Sequence, residues 1–186
     1  MGGYPMNIGL LAIFAALFVQ TGVCLASGDI DWRHRAAHGA VILTANPLTT
    51  EQRMAFYVAR GFSGAAILPY AQACGFSFRM RNTGAGAIRT ALADWHAVGT
   101  DGRRVRLRLP VEWDTEWVRI NVPESARIAF RWAQFQAENS FEPGDWIMGM
   151  ATLEQPLPGS FRLVALYHDD KGSHEIVLNP LSCASD

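Results

Sequence analysis

The stretch Cys74-Gly75-Phe76-Ser77-Phe78-Arg79-Met80-Arg81 decides the fold class, because apolar and polar side chains alternate along it. Successive side chains of a strand point to opposite faces, so the two phenylalanines and Met80 would face a core while the two arginines face solvent. The pattern predicts a half-buried strand, and a half-buried strand is typical of an antiparallel, mainly β protein.

Short alternating or apolar runs recur along the rest of the chain, separated by turn residues. The segment 88–98 reads as one strand with a bulge near Asp94. No internal repeat is visible. Seven or eight strands with turns between them predict an antiparallel β-sandwich rather than alternating βαβ units. The further predicted strands cover residues 40–44, 105–109, 128–132, 146–151, 161–167 and 175–178.

Two helical insertions interrupt this pattern, near residues 49–73 and 111–120. Thr49-Thr50-Glu51-Gln52 has the form of a capping box and predicts a helix that runs to Arg60 and ends at Gly61. The next helical stretch, 64–73, contains Pro69, which favours a helix start at that proline over a helix interior.

One group of turns and strands resembles a known family. The run Phe76-x-Phe78-x-Met80-x-Asn82-Thr83-Gly84, followed by Leu92-x-Asp94-Trp95 and Asp101-Gly102-Arg103, is similar to the recurring core of secreted bacterial immunoglobulin-like domains. The similarity covers about a third of the chain after its N-terminal segment. It implies an immunoglobulin-like sandwich, to which the helical segments would be additions.

The N-terminus predicts export. Residues 8–19 are almost entirely apolar, a length that fits the central region of a secretory signal, and small residues lead to a cleavage position after Ala26. The chain would then comprise a signal peptide (1–26), a flexible segment (27–37) and one β-sandwich domain (38–186). Two alternatives remain open: a lipoprotein acylated at Cys24, and an uncleaved anchor over residues 8–26. All three place the domain in the periplasm or outside the cell.

Charge and cysteine content agree with this prediction. The formal net charge is −1, so no overall field attracts nucleic acid or an anionic membrane, and the membrane would be reached only through an uncleaved or lipidated N-terminus. With Cys24 removed, Cys74 and Cys183 are the two cysteines left, and an oxidising compartment favours a disulfide between them. The arginines of 103–108 alternate with apolar residues and indicate the charged face of a strand, with an anion-binding patch as the alternative.

Metal-binding residues are sparse, and no cofactor is predicted. His34 and His38 are four residues apart and would share one face of a helix, but no further ligand follows at a recognisable spacing. Met148 and Met150 offer thioether ligands for Cu(I), with His96 or His168 as partners, yet they fall in phase with a tryptophan on one strand and favour core packing. A periplasmic copper-binding protein that uses methionine and histidine is therefore the alternative function.

A small hydrolase is the third hypothesis and has weak support. Residues 167–170 place acids beside His168, and serines occur at 140, 160 and 173, but no nucleophile motif joins them. Trp113 and Trp117, four apart on the predicted helix, give a candidate binding surface if they are exposed; we expect Trp117 to be buried and Trp113 partly exposed. The leading hypothesis is a non-catalytic, exported binding or assembly module with a protein partner in the cell envelope.

Overall fold

The computed structural model describes residues 32–185, which form ten strands and four helices. The helices are α1 (Thr50–Val58), α2 (Gly64–Gln72), α3 (Pro110–Arg119) and α4 (Glu124–Ala133). The strands are β1 (His34–His38), β2 (Val41–Leu48), β3 (Gly75–Asn82), β4 (Ile88–Ala91), β5 (His96–Gly99), β6 (Arg104–Arg108), β7 (Glu138–Phe141), β8 (Trp146–Leu153), β9 (Ser160–Asp169) and β10 (Gly172–Ser182).

The strands form a mainly antiparallel, sandwich-like fold, as predicted. The first layer has the order β1-β2-β3-β8, and the second places β10, β5 and β4 around the long strand β9, with β7 beside β4. Strand β6 pairs with β5 and with β8, so it joins the two layers. Apolar side chains of both layers fill the space between them.

Strand β3 confirms the alternation that predicts it. Phe76, Phe78 and Met80 are buried in the core between the layers, and Arg81 is exposed. The ring of Phe78 meets the ring of Trp95 edge-on at 5.7 Å, in the arrangement that aromatic pairs favour. The outer face of the layer is therefore the one that carries the arginines.

Two strand predictions need correction. Residues 88–98 are two strands, because a 3-10 turn over Leu92–Asp94 separates β4 from β5. Both strands still pair with β9, so the break changes the path of the chain and not the layer. Strand β7 is not predicted at all, since Glu138–Phe141 is too polar and too short to show alternation.

The capping box of α1 is confirmed: the backbone N–H of Gln52 donates to Thr49 Oγ1 at 3.1 Å, and the N–H of Thr49 donates to Gln52 Oε1 at 3.0 Å. The predicted start of the second helix at Pro69 is wrong. Helix α2 begins after Ser63, which caps it, and Pro69 lies inside it. Burial of its apolar face offsets the backbone hydrogen bond that the proline lacks.

The predicted strand over residues 128–132 is also wrong, because this segment is helix α4. Ala126 and Phe130, four residues apart, are fully buried on one helical face. Ile128 and Trp132, which a strand would place on the same side as Phe130, are 40% and 81% exposed. The helical period therefore describes this stretch better than the strand period.

The four helices share a second core outside the sandwich. Tyr57, Tyr70, Trp113, Trp117 and Phe130 form its aromatic centre. The amide of buried Gln134 donates to the Tyr57 hydroxyl at 2.6 Å and accepts from the Tyr70 hydroxyl at 3.2 Å, so the polar atoms within this core are paired. Burial raises the pKa of both tyrosines, and both stay neutral.

The predicted disulfide is present: Cys74 is bonded to Cys183, with Cα atoms 5.1 Å apart. The bond ties the start of β3 to the residue that follows β10. The predicted flexible segment is corrected in part, because residues 34–37 belong to β1, which pairs with β2 along its whole length. The predicted signal segment lies outside the described residues. Within residues 32–185, no helix is long and apolar enough to cross a membrane.

Candidate binding surface

The two tryptophans proposed as a binding surface are buried. Trp113 and Trp117 are 3% and 2% exposed, so the expectation of a partly exposed Trp113 is wrong. The indole N–H of Trp113 donates to Thr152 Oγ1 and that of Trp117 to the Ala66 carbonyl, both at 3.1 Å. These contacts fix α3 against β8 and α2. The pair supports the helical layer and presents no surface to a ligand.

The candidate metal ligands do not come together. His34 and His38 lie on β1 and not on a helix, and four residues of strand separate their Cα atoms by about 13 Å. Met150 packs against the helical core, whereas Met148 is 42% exposed, so its expected burial is wrong. Residues 32–185 contain no group of three or more histidine, cysteine or acidic side chains placed to hold a metal.

The candidate hydrolase residues form two separate pairs. Ser173 Oγ lies 2.8 Å from His168 Nδ1, and His174 Nε2 lies 2.8 Å from Asp169 Oδ1. Because residues 168 and 173 are cross-strand partners and 167 and 174 are the next pair, the two sets point to opposite faces of the β9–β10 hairpin. The carboxylate of Asp169 therefore cannot orient His168, and these residues form no catalytic triad.

Two of the four arginines of 103–108, Arg106 and Arg108, are neutralised by acidic neighbours. Arg106 bonds Glu112 and Glu154 at 2.7 Å, and Arg108 pairs with Glu116. The hydrogen bond from Arg106, with a second from the Leu109 backbone N–H, lowers the pKa of Glu112 to about 2. This cluster attaches α3 to the sandwich, so Arg106 and Arg108 are not available to an anion-binding patch.

A different surface has the features of a binding site. The helices cover the end of the first layer that includes Met150 and Thr152, and they leave its other end open to solvent. We call this open end the arginine face. Its side chains are Arg35 on β1, Arg79 and Arg81 on β3, and Trp146 and Met148 on β8.

The strand register brings the three arginines together. Arg35 and Arg79 both oppose Thr44 of β2, from its two sides, so about 10 Å separates their Cα atoms. Arg81 lies two residues further along β3, on the same face. A groove of about 210 Å³ runs between these side chains, and Trp32, Ile42 and Thr44 complete its lining.

The charges of this face are not balanced. Within residues 32–185, none of Arg35, Arg79 and Arg81 forms an ion pair, in contrast to Arg106, Arg108, Arg127 and Arg131. Arg104 and Arg162, which oppose Val98 from its two sides, form no ion pair within the described part of the chain either, so what distinguishes the arginine face is three such arginines beside exposed tryptophan and methionine. Like charges about 7–10 Å apart repel, so this arrangement costs a small amount of free energy in the isolated domain. A ligand that supplies negative charge would relieve that cost.

Aromatic and thioether groups adjoin the arginines. Trp146 opposes Arg81 and is 55% exposed, and the guanidinium of Arg79 lies 4.8 Å from the centre of its ring. Trp132, the most exposed large apolar residue among those described, is on α4, two residues before Gln134, which forms a β-bridge with Met150. The face thus combines unpaired guanidinium groups with apolar surface.

Each of these residues can be read from the sequence, but the sequence does not show that they lie close together in the folded protein. The alternation of β3 correctly turns Arg79 and Arg81 outward. Arg35 lies in a segment that the sequence predicts to be flexible. Trp146 alternates in phase with Met148 and Met150, which the sequence predicts to be in the core. The pairing β1-β2-β3-β8, which no local pattern specifies, is what assembles the face.

Comparison with known proteins assigns this chain neither a family nor a function. No protein-family model matches the chain, and no curated protein matches it. The resemblance to secreted bacterial immunoglobulin-like domains therefore stays a prediction. The arginine face has to be interpreted from its own chemistry.

Proposed function

We propose that this protein is an exported, non-catalytic binding module that docks a carboxylate-bearing protein partner of the cell envelope on its arginine face. The observation that carries the proposal is the group Arg35, Arg79 and Arg81: it lies on two strands of one open sheet face and has no ion-pair partner among residues 32–185. A guanidinium forms two parallel hydrogen bonds with one carboxylate, which gives both affinity and orientation.

The composition of the face favours a protein partner over a membrane or a nucleic acid. Arginine, tryptophan and methionine are enriched at protein–protein interfaces. The arginine face contains all three of these residue types. A net charge of −1 also argues against binding that depends on long-range attraction to a polyanion.

Two observations support export. The disulfide Cys74–Cys183 is of the kind that persists in oxidising compartments. The apolar stretch at residues 8–19 has the length of a secretory signal. The immunoglobulin-like interpretation is part of the same proposal, since a two-layered β fold leaves an outer sheet face free for binding.

Site-specific photo-cross-linking in the native cell tests the proposal. A photoreactive amino acid at position 148, on the arginine face, should give a cross-link to another protein. The same amino acid at position 162, on the outward side of β9, should not. The double substitution Arg79→Gln/Arg81→Gln should reduce the cross-link from position 148 at least tenfold. The matched double substitution Arg104→Gln/Arg162→Gln removes equal charge elsewhere and should leave it unchanged.

Three outcomes would overturn the proposal. A cross-link that is insensitive to the Arg79→Gln/Arg81→Gln change would show that the arginines do not bind the partner. A cross-link that forms only within the chain would show that another part of the same chain covers the face. Binding of the purified protein to vesicles of phosphatidylglycerol, lost in Arg79→Gln/Arg81→Gln, would show that the face recognises a lipid surface.

A further inference from the structure

A second polar site lies where two hairpin turns meet. The turn between β1 and β2 and the turn between β9 and β10 border a cavity of about 620 Å³, which the 82–86 loop closes on another side. His38, Tyr167, Asp169 and His174 line this cavity and contact one another. None of them belongs to the arginine face.

Hydrogen bonds occupy one ring nitrogen of each histidine. The Tyr167 hydroxyl lies 2.8 Å from Nδ1 of His38 and 3.2 Å from the His38 carbonyl, and it bonds Nδ1 as donor or as acceptor according to the tautomer of His38. The carboxylate of Asp169 accepts from Nε2–H of His174 at 2.8 Å. His174 thus keeps a lone pair on Nδ1, and Nε2 of His38 is the nitrogen of that ring left free for a further ligand.

This arrangement is the usual one for histidines that bind a metal ion. A metal-binding imidazole typically donates its second N–H to a carboxylate or another oxygen, which fixes the ring and makes the free nitrogen more basic. The carboxylate of Asp169 also accepts from the backbone N–H groups of Lys171 at 2.8 Å and Gly172 at 3.1 Å, which hold it beside His174. Neither free nitrogen has a partner among residues 32–185.

The separation of the rings suits one shared ion. The ring centroids of His38 and His174 are 5.2 Å apart. With a metal–nitrogen bond of about 2.0–2.1 Å, an ion would lie about 3.2 Å from each ring centroid, so rings at this separation are close enough to share one ion when their free nitrogens turn toward it. The protein supplies two ligands, which leaves the remaining coordination positions to water or to a donor group of a bound molecule.

We propose that His38 and His174 form an exchangeable site for a divalent transition-metal ion of the Zn²⁺ or Cu²⁺ class, with Tyr167 and Asp169 as positioning residues. Imidazole nitrogen is a preferred ligand of both ions. The site uses neither methionine nor the pair His34 and His38, so it differs from the copper site considered from the sequence. It also joins the β1–β2 turn to the β9–β10 turn, and a bound ion would hold the two turns together.

Calorimetric titration of the purified protein with ZnCl₂ tests the site. The wild-type protein should bind one Zn²⁺ per chain. Binding should weaken at least tenfold in His38→Ala and in His174→Ala, and about 10- to 100-fold in Asp169→Asn, which removes the acceptor but no ligand. The control His34→Ala changes a histidine on the same strand and should bind as the wild type does. Substitution with Co²⁺ should give visible absorption bands that His38→Ala removes.

Absence of saturable Zn²⁺ binding by the wild-type protein would overturn this proposal, and so would equal affinity in His38→Ala, provided that circular dichroism shows both proteins folded. The titration is independent of the proposed function. The Arg79→Gln/Arg81→Gln protein should bind Zn²⁺ normally, and His174→Ala should retain the cross-link from position 148. Failure of one proposal therefore leaves the other standing.

Discussion

Replacement of Trp117 by alanine should reveal how much the helical layer contributes to stability. The Trp117 ring is 2% exposed and contacts Phe130 at a centroid distance of 4.4 Å and Phe62 at 4.7 Å. Removal of a buried tryptophan costs about 3–5 kcal/mol through lost burial and the cavity that remains. The loss of its hydrogen bond to Ala66 adds about 1 kcal/mol. Against a typical total of about 5–15 kcal/mol, this change would severely weaken the domain.

Two further variants separate the contribution of the buried ring from that of its hydrogen bond and from the effect of an exposed tryptophan. Trp117→Phe keeps an aromatic ring but removes the indole N–H, and should cost about 1–2 kcal/mol. Trp132→Ala changes an 81% exposed ring and should alter the free energy of unfolding by less than about 0.5 kcal/mol. Urea denaturation followed by far-UV circular dichroism gives the three values. A loss below about 1 kcal/mol in Trp117→Ala would refute the packing of α3 against α2 and α4.

Two other predictions concern the disulfide and acid stability. Cys74→Ser and Cys183→Ser should each cost about 2–5 kcal/mol, and the double variant should lose no more than either; additive losses in urea denaturation would contradict a bond between these residues. Because Arg106 lowers the pKa of Glu112 to about 2 from 4.5, the stabilisation by this carboxylate is present above pH 4.5 and disappears as the pH falls toward 2. Between pH 5 and pH 2.5, the free energy of unfolding should therefore fall less in Glu112→Gln than in the wild type. The difference should be small, because both side chains of the pair are partly exposed to solvent. Equal losses in both proteins would contradict the pairing.

Local pattern predicted most of the elements of the fold. Neighbouring residues are enough to predict the alternation of β3, the capping box before α1 and the helix α3. The disulfide follows from the number of cysteines left after the predicted signal segment. The sequence predicts a strand where α4 lies, because the apolar residues Ile128, Phe130 and Trp132 also fit a period of two. Only their burial in the folded protein distinguishes the two periods.

The candidate site could not be predicted, because it depends on contacts between distant segments. Arg35 and Arg79 are far apart in the chain and become neighbours only through β2. The helical spacing of Trp113 and Trp117 predicts that the two rings share one face of a helix. It does not show whether that face is buried or exposed, because both cases have the same spacing. Exposure is set by the packing of α2 and α4 over α3, which the sequence does not show directly.

If the arginine face serves a partner and not the fold, its arginines add nothing to the stability of the domain, and the free energy of unfolding of Arg35→Gln/Arg81→Gln shows this without knowledge of the partner. In water, charges about 10 Å apart, as at Arg35 and Arg79, repel by about 0.4 kcal/mol, and charges about 7 Å apart, as at Arg79 and Arg81, by about 0.6 kcal/mol. Salt at about 0.1 M screens much of this repulsion. The double variant should therefore be as stable as the wild type at high salt and up to about 1 kcal/mol more stable at low salt. As a control, Arg127→Gln breaks a half-buried ion pair with Asp114 and should destabilise the protein. A loss of more than about 1 kcal/mol in Arg35→Gln/Arg81→Gln would mean that these arginines hold the sandwich together and are not reserved for a partner.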